Sequence, residues 1–447
     1  MRVWKPAGAA LLGSLAATAL TSPAIAAIEV APDYQVLAPI QSITAVDRNL
    51  LAKRIERAWS QPGLGVDKGL AVDAFASSAE PEVDLGADTT LMPASTTKLL
   101  TAAAVLKALG PEARFTTSVT KQGRQVFLVG GGDPQLTAQP QGRGVNEDAS
   151  LARLARQTAD ALMAEGVSAV RLRYDDSLFA PPTEQSYWRK DFLVLGVVAP
   201  VTALMVDGGR LNPPASPRSP LPSLTAATAF ARLLEERGIQ VTGTPIPAAA
   251  EGSQIASVQS APLADLVEHM LLVSDNTEAE VLAHHTGLEV LGDATFAGGA
   301  KATLQILNDL GVDTAGLVLN DGSGLSRGNR ISPAQLLAVL RAAMQTDPDA
   351  LWPIYTGIPV AGFDGSLAAR FTSAAAAPAR GAASGKTGTL TGTSTLAGLV
   401  VDRDGQLLTY AMMTNDVSVW SASPAMDAVL GRIAGCRCAG ADGPPNG

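Results

Sequence analysis

The sequence is poor in the residues that metal sites and histidine-based catalysis use. Its 447 residues include three histidines and two cysteines. Such low counts disfavour multi-zinc modules, disulfide scaffolds and most His-based catalytic schemes. We therefore look for chemistry among serine, lysine and carboxylate side chains.

Positive charge is also scarce. Lysine and arginine number 33 against 42 aspartate and glutamate residues, which gives a formal net charge of −9. Because nucleic-acid binding needs a basic surface, nucleic acid is an unexpected partner. The hydrophobic fraction of 47% is enough to bury a sizeable core, and the length predicts about three domains.

Long apolar runs are confined to the N-terminus. A basic start is followed by an uncharged stretch over residues 7–20 and by an Ala-x-Ala site at Ala24 and Ala26. This order is typical of a secretory signal peptide, and the stretch is shorter than the roughly 20 residues of a spanning helix. We predict a signal peptide over residues 1–26 and an exported protein in the periplasm or extracytoplasmic envelope, with an uncleaved anchor as the alternative.

The two cysteines stand near a glycine- and proline-rich C-terminus that we predict to be flexible over residues 436–447. Cys436 and Cys438 are one residue apart. A disulfide, two free thiols or a crosslink to another chain all remain open. We assign neither cysteine a catalytic role.

Hydrophobic periodicity outlines the order of elements. It predicts helices over residues 47–59, 93–110, 150–165, 225–237, from 263 onward and 424–433, strands over 70–76, 240–244 and 384–390, hairpins over 115–130 and 394–414, and a loop over 209–223. Helices near both ends of the chain that flank an antiparallel sheet predict the α+β class.

The pattern Ser-x-x-Lys occurs twice, and secondary structure separates the two copies. Ser95 and Lys98 begin the helix predicted over residues 93–110, where side chains three residues apart share a face. Ser118 and Lys121 fall on a strand, where they point to opposite faces. Only the first pair is expected to meet.

Ser95 and Lys98 can form a nucleophile and its base. A serine hydroxyl needs a base, and an amine serves as one only if its pKa falls below about 10.4, through burial or a nearby cation such as Lys386. A helix start also favours a developing oxyanion. The alternative for Ser95 alone is an ordinary N-cap serine.

Two further segments carry candidate residues. Ser274 and Asn276 open a helix that we predict to be amphipathic, and their alternative is a helix cap. Lys386, Thr387 and Gly388 follow in a strand, and the alternative there is a polar edge strand with a glycine bulge.

Two other patterns are weaker. His284 and His285 are adjacent and lack a third ligand at zinc spacing, so we predict surface or half-buried side chains. Gly-x-Ser-x-Gly occurs around Ser326, but no histidine follows it, as a hydrolase triad of that kind requires. Ser323 and Ser326 are predicted to belong to a structural loop near the site.

The motifs Ser-x-x-Lys, Ser-x-Asn and Lys-Thr-Gly, in this order, resemble those of penicillin-interacting serine enzymes. The first interval, 274 minus 95, is 179 residues, and the second, 386 minus 274, is 112. The first is longer than in class A β-lactamases. Further likeness in residues 93–99, 131–134 and 321–327 makes the chain similar to the D-alanyl-D-alanine carboxypeptidase/endopeptidase family. These are low-molecular-mass penicillin-binding proteins of class C and of the penicillin-binding protein 4 type, and they form peptidase family S13.

The resemblance implies a fold and a domain plan. It implies a β-lactamase/transpeptidase-like domain, discontinuous over residues 28–111 and 263–435. It also implies an inserted module of one or two small domains over residues 112–262.

The resemblance further implies a mechanism. Ser95 would attack the carbonyl between the two terminal D-alanines of a peptidoglycan stem peptide, with Lys98 as base. Ser274 and Lys386 would relay a proton to the leaving D-alanine, and Asn276 would hold the substrate amide.

It also implies the rest of the binding site. Lys386 and Thr387, together with Gly388 and Thr389 of the same strand, would bind the substrate, and the N–H groups of Ser95 and Thr389 would form the oxyanion hole. β-Lactams would be covalent inhibitors, and no metal or organic cofactor would be required.

Other functions stay open at this point. One is a non-catalytic β-lactam-sensing or wall-binding protein, and another is a β-lactamase-like hydrolase. The preference for carboxypeptidase or endopeptidase action, the oligomeric state and residual membrane association are not determined by the sequence.

Overall fold

The computed structural model describes residues 46–75, 81–139, 149–212, 215–345 and 348–438. The predicted signal peptide lies outside these ranges. None of the helices in them is both long and apolar enough to span a membrane.

The strands and helices of the described ranges follow one another along the chain. The strands are β1 Lys68–Ala74, β2 Val83–Leu85, β3 Thr116–Gln122, β4 Gln125–Val129, β5 Ala169–Asp175, β6 Arg210–Asn212, β7 Ala215–Arg218, β8 Gln240–Val241, β9 Ile246–Pro247, β10 Ser253–Gln259, β11 Ala383–Leu390, β12 Thr393–Val401 and β13 Leu407–Asn415. The helices are α1 Arg48–Trp59, α2 Thr97–Leu109, α3 Leu151–Ala164, α4 Pro222–Glu235, α5 Leu263–Val273, α6 Asn276–Leu291, α7 Phe296–Asp309, α8 Pro333–Gln345, α9 Pro348–Leu351, α10 Pro353–Gly357 and α11 Val419–Ala434.

A central antiparallel sheet is built from both ends of the chain. Within the described residues its strand order is β11-β12-β13-β1-β2, and each neighbouring pair is antiparallel. Side chains alternate between its faces, as the pleat of a strand requires. Tyr410 and Met412 face a core that contains Ile55 of α1 and Leu430 of α11. Ala411 faces the opposite core, which is formed with α2, α5 and α8.

The two cysteines lie at the C-terminal end of the described chain. Cys436 and Cys438 are joined in a disulfide and are buried. The carbonyl of Cys438 accepts a hydrogen bond from the N–H of Asp47, which caps α1. The predicted flexible terminus is therefore wrong for residues 436–438, because they pack against the first helix. Residues 439–447 lie outside the described ranges.

A second sheet lies between α2 and α5 in the chain. Its strands are ordered β10-β3-β4-β5-β8, with β9 also paired to β5. It is mixed, since β3 pairs antiparallel with β4 whereas β4 pairs parallel with β5. Side chains of α3 and α4, among them Leu154 and Phe230, share a core with it. This sheet falls in the segment that the sequence assigned to an inserted module.

Several predicted elements begin or end elsewhere. Helix α11 starts at Val419 and not at the predicted Pro424, which lies inside the helix. The prediction placed the start at Pro424 because proline is common at the first position of a helix. Helix α4 starts three residues earlier than predicted, at Pro222. The predicted loop over 209–223 contains the short paired strands β6 and β7. The predicted α+β class is correct.

Helix α6 differs most from the prediction. It is not amphipathic, because residues 277–287 are all buried. The helix packs against α2 and α7, so its polar side chains are inside the protein. His284 and His285, predicted to be exposed or half-buried, are only 1% and 6% exposed.

Candidate active site

Ser95 lies in a short 3-10 helix, Ala94–Thr96, that leads directly into α2. The preceding residue, Ala94, has a φ of 49°, a conformation that costs a non-glycine residue about 1–3 kcal/mol. The cap of α2 is Thr96, and it makes no side-chain capping bond. Ser95 is therefore not the ordinary N-cap serine that the sequence left as an alternative.

Lys98 lies one turn after Ser95 and is completely buried. Its Nζ is 3.0 Å from Ser95 Oγ, 2.7 Å from Asn276 Oδ1 and 2.8 Å from the carbonyl oxygen of Ser323. The last two atoms come from segments about 180 and 225 residues away in the chain. Folding thus brings the first and second motifs into contact at a single amine.

Burial lowers the pKa of both lysines of the site. It lowers the pKa of Lys98 to about 8, against the opposing effect of the Glu280, Asp275 and Asp321 carboxylates. Burial, and then the charge of Lys98, lower the pKa of Lys386 well below its usual value. Both amines are therefore easier to deprotonate than a lysine in water.

Ser274 forms the turn between α5 and α6. It has left-handed backbone angles, with φ 60° and ψ 41°. Its Oγ accepts a hydrogen bond of 2.8 Å from Lys386 Nζ, so the second and third motifs also meet. The residue that caps α6 is Asp275, whose carboxylate accepts from the N–H of Glu278. The capping alternative thus applies to Asp275 and leaves Ser274 and Asn276 facing the lysines.

Asn276 is oriented from two sides. Its Oδ1 accepts from Lys98, and its Nδ2 donates to the carbonyl of Val197 at 2.9 Å. One N–H of the amide remains for another partner.

Strand β11 carries Lys386, Thr387, Gly388 and Thr389 beside the start of α2. Its pairing with β12 keeps one register throughout, so the predicted alternative of a glycine bulge is wrong. A Cβ on Gly388 would lie 2.6 Å from the Pro93 carbonyl oxygen. The absence of a side chain at this position lets the strand approach Ser95.

One edge of β11 is covered only at its beginning. The N–H of Gly385 donates to Pro359, and the N–H of Ala361 donates to Ala383. No strand of the described chain pairs with this edge beyond Gly385. There the hydroxyls of Ser366 and Thr387 are 2.7 Å apart, and Thr389 is exposed. An extended peptide has room to pair along this edge.

The sequence reasoning missed several residues of the site. Glu280 accepts from the N–H groups of Gly322 and Ser323 at 3.0 and 2.8 Å, and Ser366 bonds to Thr387. Ser323 was expected in a loop near the site, and that position is confirmed, but its carbonyl contact with Lys98 has no signature in the sequence.

The remaining candidates lie apart from this cluster. Lys121, of the second Ser-x-x-Lys, pairs with Glu165 at 2.7 Å. Ser326 is buried, and its Oγ accepts from Gly328 N–H. His285 Nε2 donates to the Gly132 carbonyl at 2.9 Å. In the described ranges no group of three or more His, Cys, Asp or Glu residues is placed to hold a metal.

Burial also sets the protonation of the two histidines. It lowers the pKa of His284 and of His285 to about 4, so both rings are neutral near pH 7. His285 also stacks on Phe115, with ring centroids 3.8 Å apart. These contacts give the pair a packing role.

A family model and several known proteins match this chain. The model is described as the D-Ala-D-Ala carboxypeptidase 3 (S13) family, and it matches residues 51–220 and 213–434. Carboxypeptidase DacB of Mycolicibacterium smegmatis is 37% identical over 398 residues, which are 88% of this chain and 85% of that protein. A carboxypeptidase of Mycobacterium tuberculosis is 37% identical over 361 residues, 78% of this chain and 77% of the relative.

The fold is also similar to a solved structure. Penicillin binding protein 4 of Haemophilus influenzae superimposes with a TM-score of 0.68 at 22% identity, over 87% of this chain and 98% of that one. A second structure of the same protein, complexed with a β-lactam, has a TM-score of 0.63.

Proposed function

The chain belongs to the D-Ala-D-Ala carboxypeptidase 3 (S13) family, and we propose that it hydrolyses peptidoglycan stem peptides with Ser95 as its nucleophile. It is a serine DD-peptidase of the α+β class. The observation that carries the proposed role of Ser95 is the position of Lys98. Its buried amine is 3.0 Å from Ser95 Oγ and faces two carbonyl oxygens on its other sides.

Acylation begins when Ser95 Oγ attacks the carbonyl carbon between the two terminal D-alanines. The hydroxyl proton passes to Lys98 Nζ, whose lowered pKa makes the neutral amine accessible near pH 8. The oxyanion is bound by the N–H of Ser95 and by the N–H of Thr389. Amides in the first turn of a helix lack partners inside that helix, and loss of one such donor typically costs about 10²- to 10³-fold in rate.

The leaving group receives its proton from the other side of the site. The C–N bond breaks and the amine of D-alanine takes a proton through Lys386 and Ser274, which are hydrogen-bonded at 2.8 Å. Lys98 holds the proton taken from Ser95 and resupplies this relay. Water then attacks the acyl ester, Ser95 regains its proton, and the shortened peptide is released as an acid.

The substrate is held by strand β11 and by Asn276. Lys386 and Thr387, with Thr389 further along, bind the terminal carboxylate. When that carboxylate arrives, its negative charge favours the protonated form of Lys386, against the effect of burial. The free N–H of Asn276 binds the substrate amide, while its Oδ1 orients Lys98.

β-Lactams acylate the same serine. Attack on the strained lactam carbonyl gives an ester on the same serine, but the leaving nitrogen stays tethered to the acyl group. Because the substrate is part of the cell wall, we place the protein outside the cytoplasm. We also propose that residues 28–111 and 263–435 form the catalytic domain, and that residues 112–262 are a module inserted into it.

Purified protein tests this function when it is given a D-Ala-D-Ala peptide and labelled penicillin. Release of D-alanine and durable labelling, both lost in Ser95→Ala but kept in Ser118→Ala, support it. Labelling without peptide hydrolysis would indicate a β-lactam sensor, and rapid penicillin turnover would indicate a β-lactamase-like hydrolase.

A further inference from the structure

The contacts of Lys98 fix the direction of its lone pair. A neutral amine has two N–H bonds and one lone pair, and carbonyl oxygens only accept hydrogen bonds. Asn276 Oδ1 and the Ser323 carbonyl oxygen, at 2.7 and 2.8 Å, take the two N–H bonds. The lone pair is then left for the third neighbour, the hydroxyl of Ser95. The Ser323 carbonyl is thus one of the two acceptors that orient the amine of Lys98 toward Ser95.

That carbonyl belongs to a loop over residues 321–326 that two helices hold in place. From α2, the hydroxyl of Thr101 donates to the carbonyl of Gly322 at 2.6 Å. From α6, both carboxylate oxygens of Glu280 accept, one from the N–H of Gly322 and the other from the N–H of Ser323. Two consecutive peptide units that precede the Ser323 carbonyl are therefore fixed by one side chain.

Inside the loop, Asp321 supplies the next anchor. Its carboxylate accepts from the N–H of Gly324 at 3.0 Å and from the N–H of Ser326 at 2.6 Å. The N–H of Gly324 belongs to the same peptide unit as the Ser323 carbonyl. Gly324 has a φ of +85°, and a Cβ on it would collide with the Ala94 carbonyl oxygen, so the loop packs closely against the turn that carries Ser95.

Burial of the Glu280 carboxylate at this position is unfavourable for the stability of the fold. Glu280 is 0% exposed, and burial, with the neighbouring charge of Asp321, raises its pKa above the usual value of a glutamate. Among the described residues no lysine or arginine forms an ion pair with Glu280, and both of its carboxylate oxygens accept hydrogen bonds from this loop. A buried carboxylate without a cation destabilises a fold unless it is well hydrogen-bonded.

We propose that Glu280 is a positioning residue of the reaction, which holds the Ser323 carbonyl against Lys98 and thereby directs the lone pair of the amine at Ser95. This inference rests on the proposed roles of Ser95 and Lys98. The carboxylate of Glu280 bonds to the loop and not to Ser95, so we expect its substitution to change the rate of acylation and not the binding of the acylating compound.

Glu280→Gln tests the proposal while keeping the size of the side chain. A glutamine amide has one acceptor oxygen and an NH₂ group, so it cannot accept from both loop N–H groups. The matched control is Glu278→Gln. Glu278 is buried on the same helix, but its carboxylate bonds to His269 and Gln135 and not to the loop.

The measurement is the acylation rate at saturating labelled penicillin, together with the concentration that gives half of that rate. Misplacement of a catalytic group by about 1 Å costs up to about 10²-fold. We expect Glu280→Gln to lower the saturating rate by about tenfold or more and to change the half-saturating concentration by less than about twofold. Glu278→Gln should change neither by more than about twofold, and Glu280→Asp, which keeps two acceptor oxygens, should restore part of the rate.

A second variant keeps the proposal testable if Glu280→Gln does not fold. Thr101→Val removes the other anchor of the loop and should lower the saturating rate several-fold with the same half-saturating concentration. Equal rates in the wild type and these variants, or an equal loss in Glu278→Gln, would overturn the positioning role. Wild-type protein that is not acylated at Ser95 would instead overturn the proposed function.

Discussion

Lys386 Nζ donates a 2.8 Å hydrogen bond to Ser274 Oγ, although the two residues are 112 positions apart in the chain. A strand edge and a turn between two helices thus form one side of the site, and Ser95 with Lys98 forms the other.

The first prediction concerns the base. Lys98→Ala removes the only amine within 3.0 Å of Ser95 Oγ in the described chain, so acylation by labelled penicillin should fall by about 10²- to 10⁴-fold. The fold should persist, because the variant also removes a buried amine whose desolvation is unfavourable. The matched control, Lys121→Ala, should react like the wild type. Near-normal labelling of a folded Lys98→Ala protein would exclude Lys98 as the base.

The second prediction is the pH dependence of acylation. Burial lowers the pKa of Lys98 to about 8, and only the neutral amine has a lone pair. Below that pH the lysine is protonated, so the acylation rate should fall about tenfold per pH unit, and above it the rate should level off. Stopped-flow acylation between pH 5 and about 10 measures this limb. A rate that is flat through this range would show that no amine with this pKa serves as the base.

The third prediction concerns the substrate carboxylate. Lys386→Ala removes a charged donor, and hydrogen bonds to charged groups contribute about 1.5–3 kcal/mol. The preference in kcat/KM for a peptide with a free carboxylate over the same peptide ending in an amide should therefore fall by about 10- to 100-fold. An unchanged preference, at whatever overall rate, would contradict the role of Lys386 in binding the carboxylate.

The fourth prediction concerns the close approach of β11 to Ser95. A methyl group at Gly388 would lie 2.6 Å from the Pro93 carbonyl oxygen and 3.0 Å from Ser95 N. Gly388→Ala should push the strand away and destabilise the protein by about 1–3 kcal/mol. Acylation should slow by more than the change in stability accounts for. A variant with wild-type melting temperature and acylation rate would show that the strand is not packed this closely.

The sequence predicted the parts of the site whose chemistry lies in side chains at short, regular spacing. Ser95 and Lys98 meet because they are one helical turn apart, whereas the joining of Ser274, Asn276 and Lys386 to them was implied by the resemblance of the three motifs to those of penicillin-interacting enzymes. The Ser323 carbonyl and Glu280 were not predictable in this way, because a backbone carbonyl has no side-chain signature and the contact depends on tertiary packing.

Burial was the other property that the sequence did not reveal. Helix α6 carries Glu278, Glu280, His284 and His285, and a helix with so many polar residues was predicted to have an exposed face. In the structure most of these polar groups have partners inside the protein, for example in the bond from His285 to the Gly132 carbonyl, whereas His284 Nε2 is buried without one. Periodicity indicates an exposed face only when polar side chains lack partners inside the protein.

Peptide mapping of the penicillin-treated protein tests the central claim most directly. Mass spectrometry of its proteolytic fragments should place the penicilloyl group on Ser95, in an ester that Ser95→Ala cannot form. A stable adduct on Ser118, Ser274 or Ser323, or D-alanine release that persists in Ser95→Ala, would contradict the account.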